Sequence, residues 1–307
     1  MKPRRSILSV PGHLAKMHPK ALASQPDVVM LDLEDSVPLE AKPAARDVVI
    51  ESLLNLSWGS VTPAVRINGL DTPFGFEDLL AVTRAAGHRI NTVVIPKVND
   101  RRDIHFVHRL LDGIEMKQGF TTPIGIEASI ETAQGLENVS AIVRASDRIK
   151  TLVFGIADYS ASIGARLTSI SGHGEREEDI YPGHRWHYAL SRIVMSAKAH
   201  GVLAIDAPYG NFKDSAGLLR SAQMACALGC DGKWAIHPGQ IEILNHVFSP
   251  TAEDIARAQK VLLAAEQAQA KGLGAVAVEG RMVDQATVRL ARQVSETARH
   301  LKPVDSK

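Results

Sequence analysis

Two acidic residues stand where a carboxylate could do chemistry: Glu131, at the end of the β-rich run IGIEASIE, and Asp158, just after TLVFG. Two carboxylates delivered from adjacent strands can hold one hard divalent cation. Mg²⁺ suits such a pair, because it takes few protein ligands and leaves positions for water and substrate oxygens. The alternative is that each carboxylate caps the helix that follows it or pairs with a surface lysine. Glu127 lies on the same strand face as Glu131 and is a decoy, expected to be paired deeper inside. Arg66 ends the run in VRINGLDT. Its guanidinium could grip a carboxylate or a polarised carbonyl with two parallel hydrogen bonds, or pair with the LDLED acids for stability alone. Lys97 in IPKV carries the same two readings, with the structural ion pair favoured.

Other patterns point away from common chemistries. His184 and His187 in HRWH lack the glutamate of a zinc-protease helix, and Glu175, Glu177, Glu178 and Asp179 form a charge run expected of a solvated loop. Gly172-His173-Gly174 fits no dinucleotide fingerprint, and neither a phosphate-binding G-x-x-x-x-G-K nor a G-x-S-x-G elbow occurs. Hydride transfer, ATP hydrolysis and serine hydrolase chemistry are therefore disfavoured. The two cysteines, Cys226 and Cys230, read as neighbours on one helical face, reduced and in the core, as expected of a cytoplasmic protein. A formal net charge of +1 offers no footprint for nucleic acid, and no apolar run approaches the roughly 20 residues of a membrane span. Any anionic substrate must be held by a few placed cations.

The elements that would position these residues are eight β-rich runs, each followed by a helical stretch. The runs are Ser6–Pro11, Val28–Leu33, Thr62–Asn68, Thr92–Lys97, Ile124–Glu131, Thr151–Gly155, Val202–Asp206 and Lys233–His237. Helical periodicity is plain over Pro73–Ala86, Asn138–Ala145, His187–Ala199 and Gly217–Ala227. Strict alternation implies parallel pairing with right-handed crossovers, and eight units is the count of a closed (β/α)₈ TIM barrel. The rim at the strand C-terminal ends would then collect Asp32, Glu34, Asp35, Arg66, Asn68, Lys97, Glu131, Asp158, Asp206 and His237. After the eighth unit, Ser249 or Thr251 can cap a long helix running to about Lys271, with Gly272 as its stop, and a last helix follows Asp284. The simplest parse is a barrel domain at 1–248 and a C-terminal helical extension at 249–307 that packs on a neighbouring subunit.

The fragments SVPGHLAKMHPKALASQPDVVMLDLEDSV, VRINGLDTPF, IPKV, ETAQGLENV, GIADYSAS, GKWAIHP and GRMVDQA, in that order, resemble the citrate lyase β-subunit-like branch of the HpcH/HpaI aldolase superfamily. Within it the chain is most similar to malyl-CoA and β-methylmalyl-CoA lyases. The resemblance spans Ser6 to Asp284 and implies a (β/α)₈ barrel with Mg²⁺ (or Mn²⁺) held by Glu131 and Asp158. It implies Arg66 as a substrate contact and CoA contacts at Lys20, around Ala157 and Asp158, and at Ile236 and His237. It also implies that Asp284 reaches the site of a neighbouring copy, in a homotrimer or homohexamer. The chain departs from the malyl-CoA lyase pattern at Leu14, where an arginine is usual, and at Ser9, where an aromatic CoA contact is usual. It departs again in DAPYGNF, at Ala207, Tyr209 and Asn211.

The activity expected on this resemblance is Mg²⁺-dependent cleavage or condensation of a 3-hydroxyacyl-CoA, such as L-malyl-CoA or β-methylmalyl-CoA. The products of cleavage would be acetyl-CoA or propionyl-CoA and glyoxylate. A citramalyl-CoA lyase, a malyl-CoA thioesterase, and a citrate lyase β-type subunit of a carrier-protein complex are the alternatives.

Overall fold

The protein was analysed as a computed structural model that describes residues 2–166, 172–174, 184–270, 272, 276–278 and 280–301. The charge run Glu175, Glu177, Glu178 and Asp179 lies outside the described residues. The chain forms two compact units, one of residues 4–245 and one of residues 246–307 together with 1–3.

In the first unit, eight parallel strands close on themselves: β1 (Ser6–Pro11), β2 (Val28–Asp32), β3 (Thr62–Arg66), β4 (Thr92–Ile95), β5 (Gly125–Ile130), β6 (Ile149–Phe154), β7 (Leu203–Asp206) and β8 (Gly232–Ala235). Each strand pairs with its sequence neighbour, and β1 pairs with β8 to seal the barrel. All eight runs read from the sequence are strands of this barrel. The (β/α)₈ architecture therefore stands, with most strand ends shorter by a residue or two.

The connecting helices are α1 (His18–Ala23), α2 (Lys42–Asn55), α3 (Pro73–Ala86), α4 (Arg101–Gln118), α5 (Ala133–Glu137), α6 (Val139–Ile142), α7 (Ile156–Ser162), α8 (His187–Ala199), α9 (Ser215–Leu228) and α10 (Ile241–Val247). Local chemistry explains their starts. Thr72 and Thr132 accept hydrogen bonds from Gly75 and Gly135 N–H groups at the starts of α3 and α5, and Asp100 forms a capping box with Asp103 on α4. Cys226 and Cys230 do not share a helical face. The αL residue Gly229 (φ 101°) ends α9 between them, leaving Cys226 exposed on the helix and Cys230 buried beyond it.

Side chains at alternate strand positions fill the barrel. Ile7, Val28, Met30, Ala64, Val94, Val153, Ile205 and Trp234 form one buried apolar cluster. The same alternation carries Asp32, Arg66, Glu127 and Glu131 to that interior face, and all four are buried. Burying four charged groups is costly unless each finds a partner. How each is partnered separates scaffold from site.

The second unit contains α11 (Ala252–Ala270), the antiparallel pair β9 (Val276–Val278) and β10 (Arg281–Val283), and α12 (Gln285–His300). The β9–β10 pair adds strands to an extension that the sequence marks as helical. Thr251 accepts a hydrogen bond from Asp254 N–H at the start of α11, and Gly272 (φ 70°) follows its end, as expected. Ala258, Val261, Val283, Val288 and Ala291 form the core of this unit. Among the described residues no helix is long and apolar enough to cross a membrane.

Candidate active site

The strand C-terminal ends bring six charged side chains together. Asp32 at the end of β2 receives two hydrogen bonds from Arg66 at the end of β3, Nε to Oδ1 at 2.6 Å and Nη2 to Oδ2 at 2.7 Å. Burial opposes ionisation of Asp32, but the Arg66 charge and these hydrogen bonds outweigh it and hold its carboxyl at about 2. Arg66 Nη1 lies 3.1 Å from Glu34 Oε2 and makes no hydrogen bond among the described residues. The guanidinium also rests over the Trp234 ring, 5.5 Å from its centroid. Arg66 therefore has its Nε edge committed and its Nη1 end directed to Glu34.

Glu131, just past β5, is 2% exposed and accepts one hydrogen bond, from Lys97 N–H at 2.7 Å. Burial first, then the like charges of Glu34 and Asp158, raise its carboxyl to about 7 against the opposing pull of Arg66. Gly155 faces Glu131 so closely that a Cβ there would fall 2.0 Å from Oε2. Any side chain at position 155 would displace the carboxylate. Glu34 is likewise raised, chiefly by burial, and its Oε2 is buried without a hydrogen bond. Asp158, in the first turn of α7, is 35% exposed at its side chain.

Lys97 joins these groups. Its Nζ is 2.5 Å from Glu34 Oε1 and 3.6 Å from Asp158 Oδ1, while its backbone N–H binds Glu131. Glu131 and Asp158 thus face one compartment, each in contact with the same residue. The capping alternative fails for both: Thr132 caps α5, and Asp158 accepts no hydrogen bond among the described residues.

This site lacks positive charge. Among the described residues Asp32, Glu34, Glu131 and Asp158 form ion pairs only with Arg66 and Lys97, and Glu34 Oε2 is left buried without a hydrogen bond. A divalent cation would correct the imbalance, so the residues present fit Mg²⁺, which Glu131 and Asp158 would be placed to hold. Among the described residues no three His, Cys, Asp or Glu side chains form a ready ligand set. Two carboxylates with open positions are what Mg²⁺ commonly uses.

The residues tied to CoA by resemblance are dispersed over exposed positions. Lys20 is exposed on α1, and Ala157 is exposed in α7. The Ile236 and His237 N–H groups both donate to Gln240 Oε1, at 2.8 and 3.2 Å. The His237 ring stacks on Phe212, with centroids 4.9 Å apart. Asp284 belongs to the second unit, where it caps α12 by accepting hydrogen bonds from Thr287 N–H at 2.9 Å and Thr287 Oγ1 at 3.0 Å. Those bonds lower its pKa, so it is an ionised carboxylate at neutral pH.

Glu34, which the sequence marked only as a strand-end charge, joins the cluster, and Lys97 makes the kind of ion pair the sequence favoured for it, with Glu34, while also approaching Asp158. A second polar cluster went unread: Lys233 Nζ, fully buried, binds Asp206 Oδ2, and His173 Nε2 sits 3.0 Å from Asp206 Oδ1. Asp206 is marked in the sequence as a strand-end charge, and a lysine inside the apolar run GKWAI is the sign of its partner.

The HpcH/HpaI aldolase/citrate lyase family model matches residues 5–238. This chain belongs to the HpcH/HpaI aldolase/citrate lyase family. Among its relatives, an L-malyl-CoA/β-methylmalyl-CoA lyase of Cereibacter sphaeroides is 39% identical over 97% of this chain and 95% of its own length. A citrate lyase subunit beta of Leuconostoc mesenteroides is 36% identical over 99% of this chain and 96% of its own. The solved structure of CitE from Mycobacterium tuberculosis, in complex with magnesium, acetoacetate and coenzyme A, superposes with a TM-score of 0.76. It is 30% identical, covering 95% of this chain and 97% of that one. Family membership agrees with the closed eight-stranded barrel.

Proposed function

We propose that this protein is a Mg²⁺-dependent carbon–carbon lyase acting on a small 3-hydroxyacyl-CoA, of which L-malyl-CoA and β-methylmalyl-CoA are the foremost candidates. The observation that carries the reading is the under-neutralised Glu131–Asp158–Glu34 cluster beside a fixed Arg66. The malyl-CoA lyase relative and the magnesium- and CoA-bound neighbour support the same choice of substrate class. Glu131 and Asp158 would hold Mg²⁺ (or Mn²⁺), which would supply Lewis acidity toward the oxygens of the bound substrate.

The chain's own groups do the rest. Loss of the substrate hydroxyl proton to solvent and cleavage of the bond between the hydroxyl-bearing carbon and the α-carbon of the thioester together leave glyoxylate and a thioester enolate. Negative charge then gathers on the thioester oxygen, where the Nη1 end of Arg66 can donate. Asp32 fixes the guanidinium in advance, so little reorganisation is needed as charge develops. Asp284 of a neighbouring copy is assigned to proton exchange at the enolate carbon. As an ionised carboxylate it is suited to removing that proton in the condensation direction. This role requires an oligomer, a trimer or a pair of trimers, with the extension at 249–307 packed on a neighbour.

The test is to incubate the purified protein with Mg²⁺ and malyl-CoA, β-methylmalyl-CoA or citramalyl-CoA and to identify the products. Glyoxylate with acetyl-CoA or propionyl-CoA is the expected result; pyruvate from citramalyl-CoA would shift the substrate. Free malate would make the enzyme a thioesterase. The citrate lyase β relative favours a second reading, a subunit acting on carrier-bound thioesters. Inactivity on every free CoA thioester, with co-purifying partner subunits, would select it.

A further inference from the structure

Lys97 holds an unusual conformation. Its φ of 50° is in the left-handed region, where a residue with a Cβ is strained and glycine is the ordinary choice. Glycine could supply the backbone N–H to Glu131 but no ammonium. The conformation lets one residue do both, with N–H to Glu131 Oε1 at 2.7 Å and Nζ to Glu34 Oε1 at 2.5 Å. From there Nζ reaches Asp158 Oδ1 at 3.6 Å and Asp35 Oδ1 at 3.9 Å. Arg66, the other cation of the cluster, has two of its nitrogens bound to Asp32. Among the described residues Lys97 is the positive charge in contact with Asp158. Its side chain is 31% exposed, so it is not a sealed core ion pair.

We propose that Lys97 is a positioning residue and internal counter-ion, whose ammonium holds Glu34 and Asp158 in the cation-free protein and competes with a divalent cation for Asp158. The proposal rests on the metal reading above. Strain at a position fixed by its surroundings persists where it serves the site. Here it places one charge among four carboxylates and keeps cation affinity moderate. A cation that binds must share Asp158 with Lys97 or displace its ammonium toward Glu34, and either costs affinity through repulsion.

Calorimetric titration with MgCl₂ at about pH 8, with the carboxylates ionised, tests this on the full chain without substrate. Lys97→Met should bind Mg²⁺ more tightly, on the order of tenfold, since the nearest repelling charge is gone. Its metal-free melting temperature should fall, and saturating Mg²⁺ should raise it by more than in the wild type. Lys97→Arg, which keeps the charge, should bind Mg²⁺ like the wild type. Unchanged or weaker Mg²⁺ binding by Lys97→Met overturns the proposal while leaving the metal reading intact. Failure of the wild type to bind Mg²⁺ removes the metal reading and this inference with it. If Lys97→Met folds only when Mg²⁺ is present, the counter-ion role is supported. If Lys97→Met and Lys97→Gln both stay unfolded at saturating Mg²⁺, Lys97 is a fold residue and the proposal falls.

Discussion

Glu127 and Glu131 leave strand β5 on the same interior face, and both are buried, yet their surroundings differ completely. Toward the strand N-terminal end, Glu127 is paired with Arg4 and receives hydroxyl hydrogen bonds from Thr92 and from Thr151. Toward the C-terminal end, Glu131 has one backbone N–H and faces two more carboxylates. A buried charge whose partners are all supplied by the protein serves the fold. One whose partners are missing leaves room for something from outside. The two glutamates divide the barrel interior into a closed end and a reactive end.

Removing Glu131 should have the largest effect on turnover. Glu131→Gln is expected to lower Mg²⁺-dependent kcat on the order of a thousandfold, while leaving urea stability equal or slightly higher, because a repelled charge is removed. Chelator-resistant normal activity in that variant would erase the distinction between the two ends. Glu127→Gln should show the reverse: a loss of about 3–5 kcal/mol in urea unfolding as Arg4 is left buried and unpaired, with activity retained by the folded fraction. Next comes Arg66→Lys, for which a drop in kcat/KM of about a hundredfold is expected, since a point charge cannot hold Asp32 with two bonds and still face Glu34.

Asp284→Asn separates capping from catalysis in the second unit. Asparagine caps helices about as well as aspartate, so the melting temperature should hold within about 2 °C. Turnover should fall while CoA binding is retained. Equal loss of stability and activity would leave Asp284 as a cap alone.

The smallest expected effect is on pH dependence. The Glu131 carboxyl is raised from its ordinary range to about 7. Below its unfolded value the group is protonated in both states and its stabilising contribution is complete; that contribution is lost as the pH rises through about 7. Mg²⁺ takes the ionised form. Its affinity should rise with pH by up to about tenfold per unit below that value and level off above it, with proton release on binding. A flat affinity profile would mean that Glu131 is not a ligand.

Much of this was legible in order along the chain. Eight alternating units imply a closed barrel because parallel strands need crossovers, and apolar alternation marks one interior face. Thr251 announces its helix by type and position. Glu131, Asp158 and Arg66 could be nominated because each ends or follows a strand, where barrel chemistry collects.

Which of those nominations share a compartment was decided only in three dimensions. Asp32 and Arg66, or Lys97 and Glu131, are distant in sequence and meet because strand register aligns their ends. Position along β5 marks Glu127 as the deeper of the two glutamates, but its partner, Arg4 from before β1, is supplied only when the barrel closes. The left-handed backbone of Lys97 and the bond between Lys233 and Asp206 are likewise invisible in residue types. Periodicity records which side chains turn inward, since that depends on neighbours in the chain. Charge balance is a sum over neighbours in space, and only the folded barrel defines them.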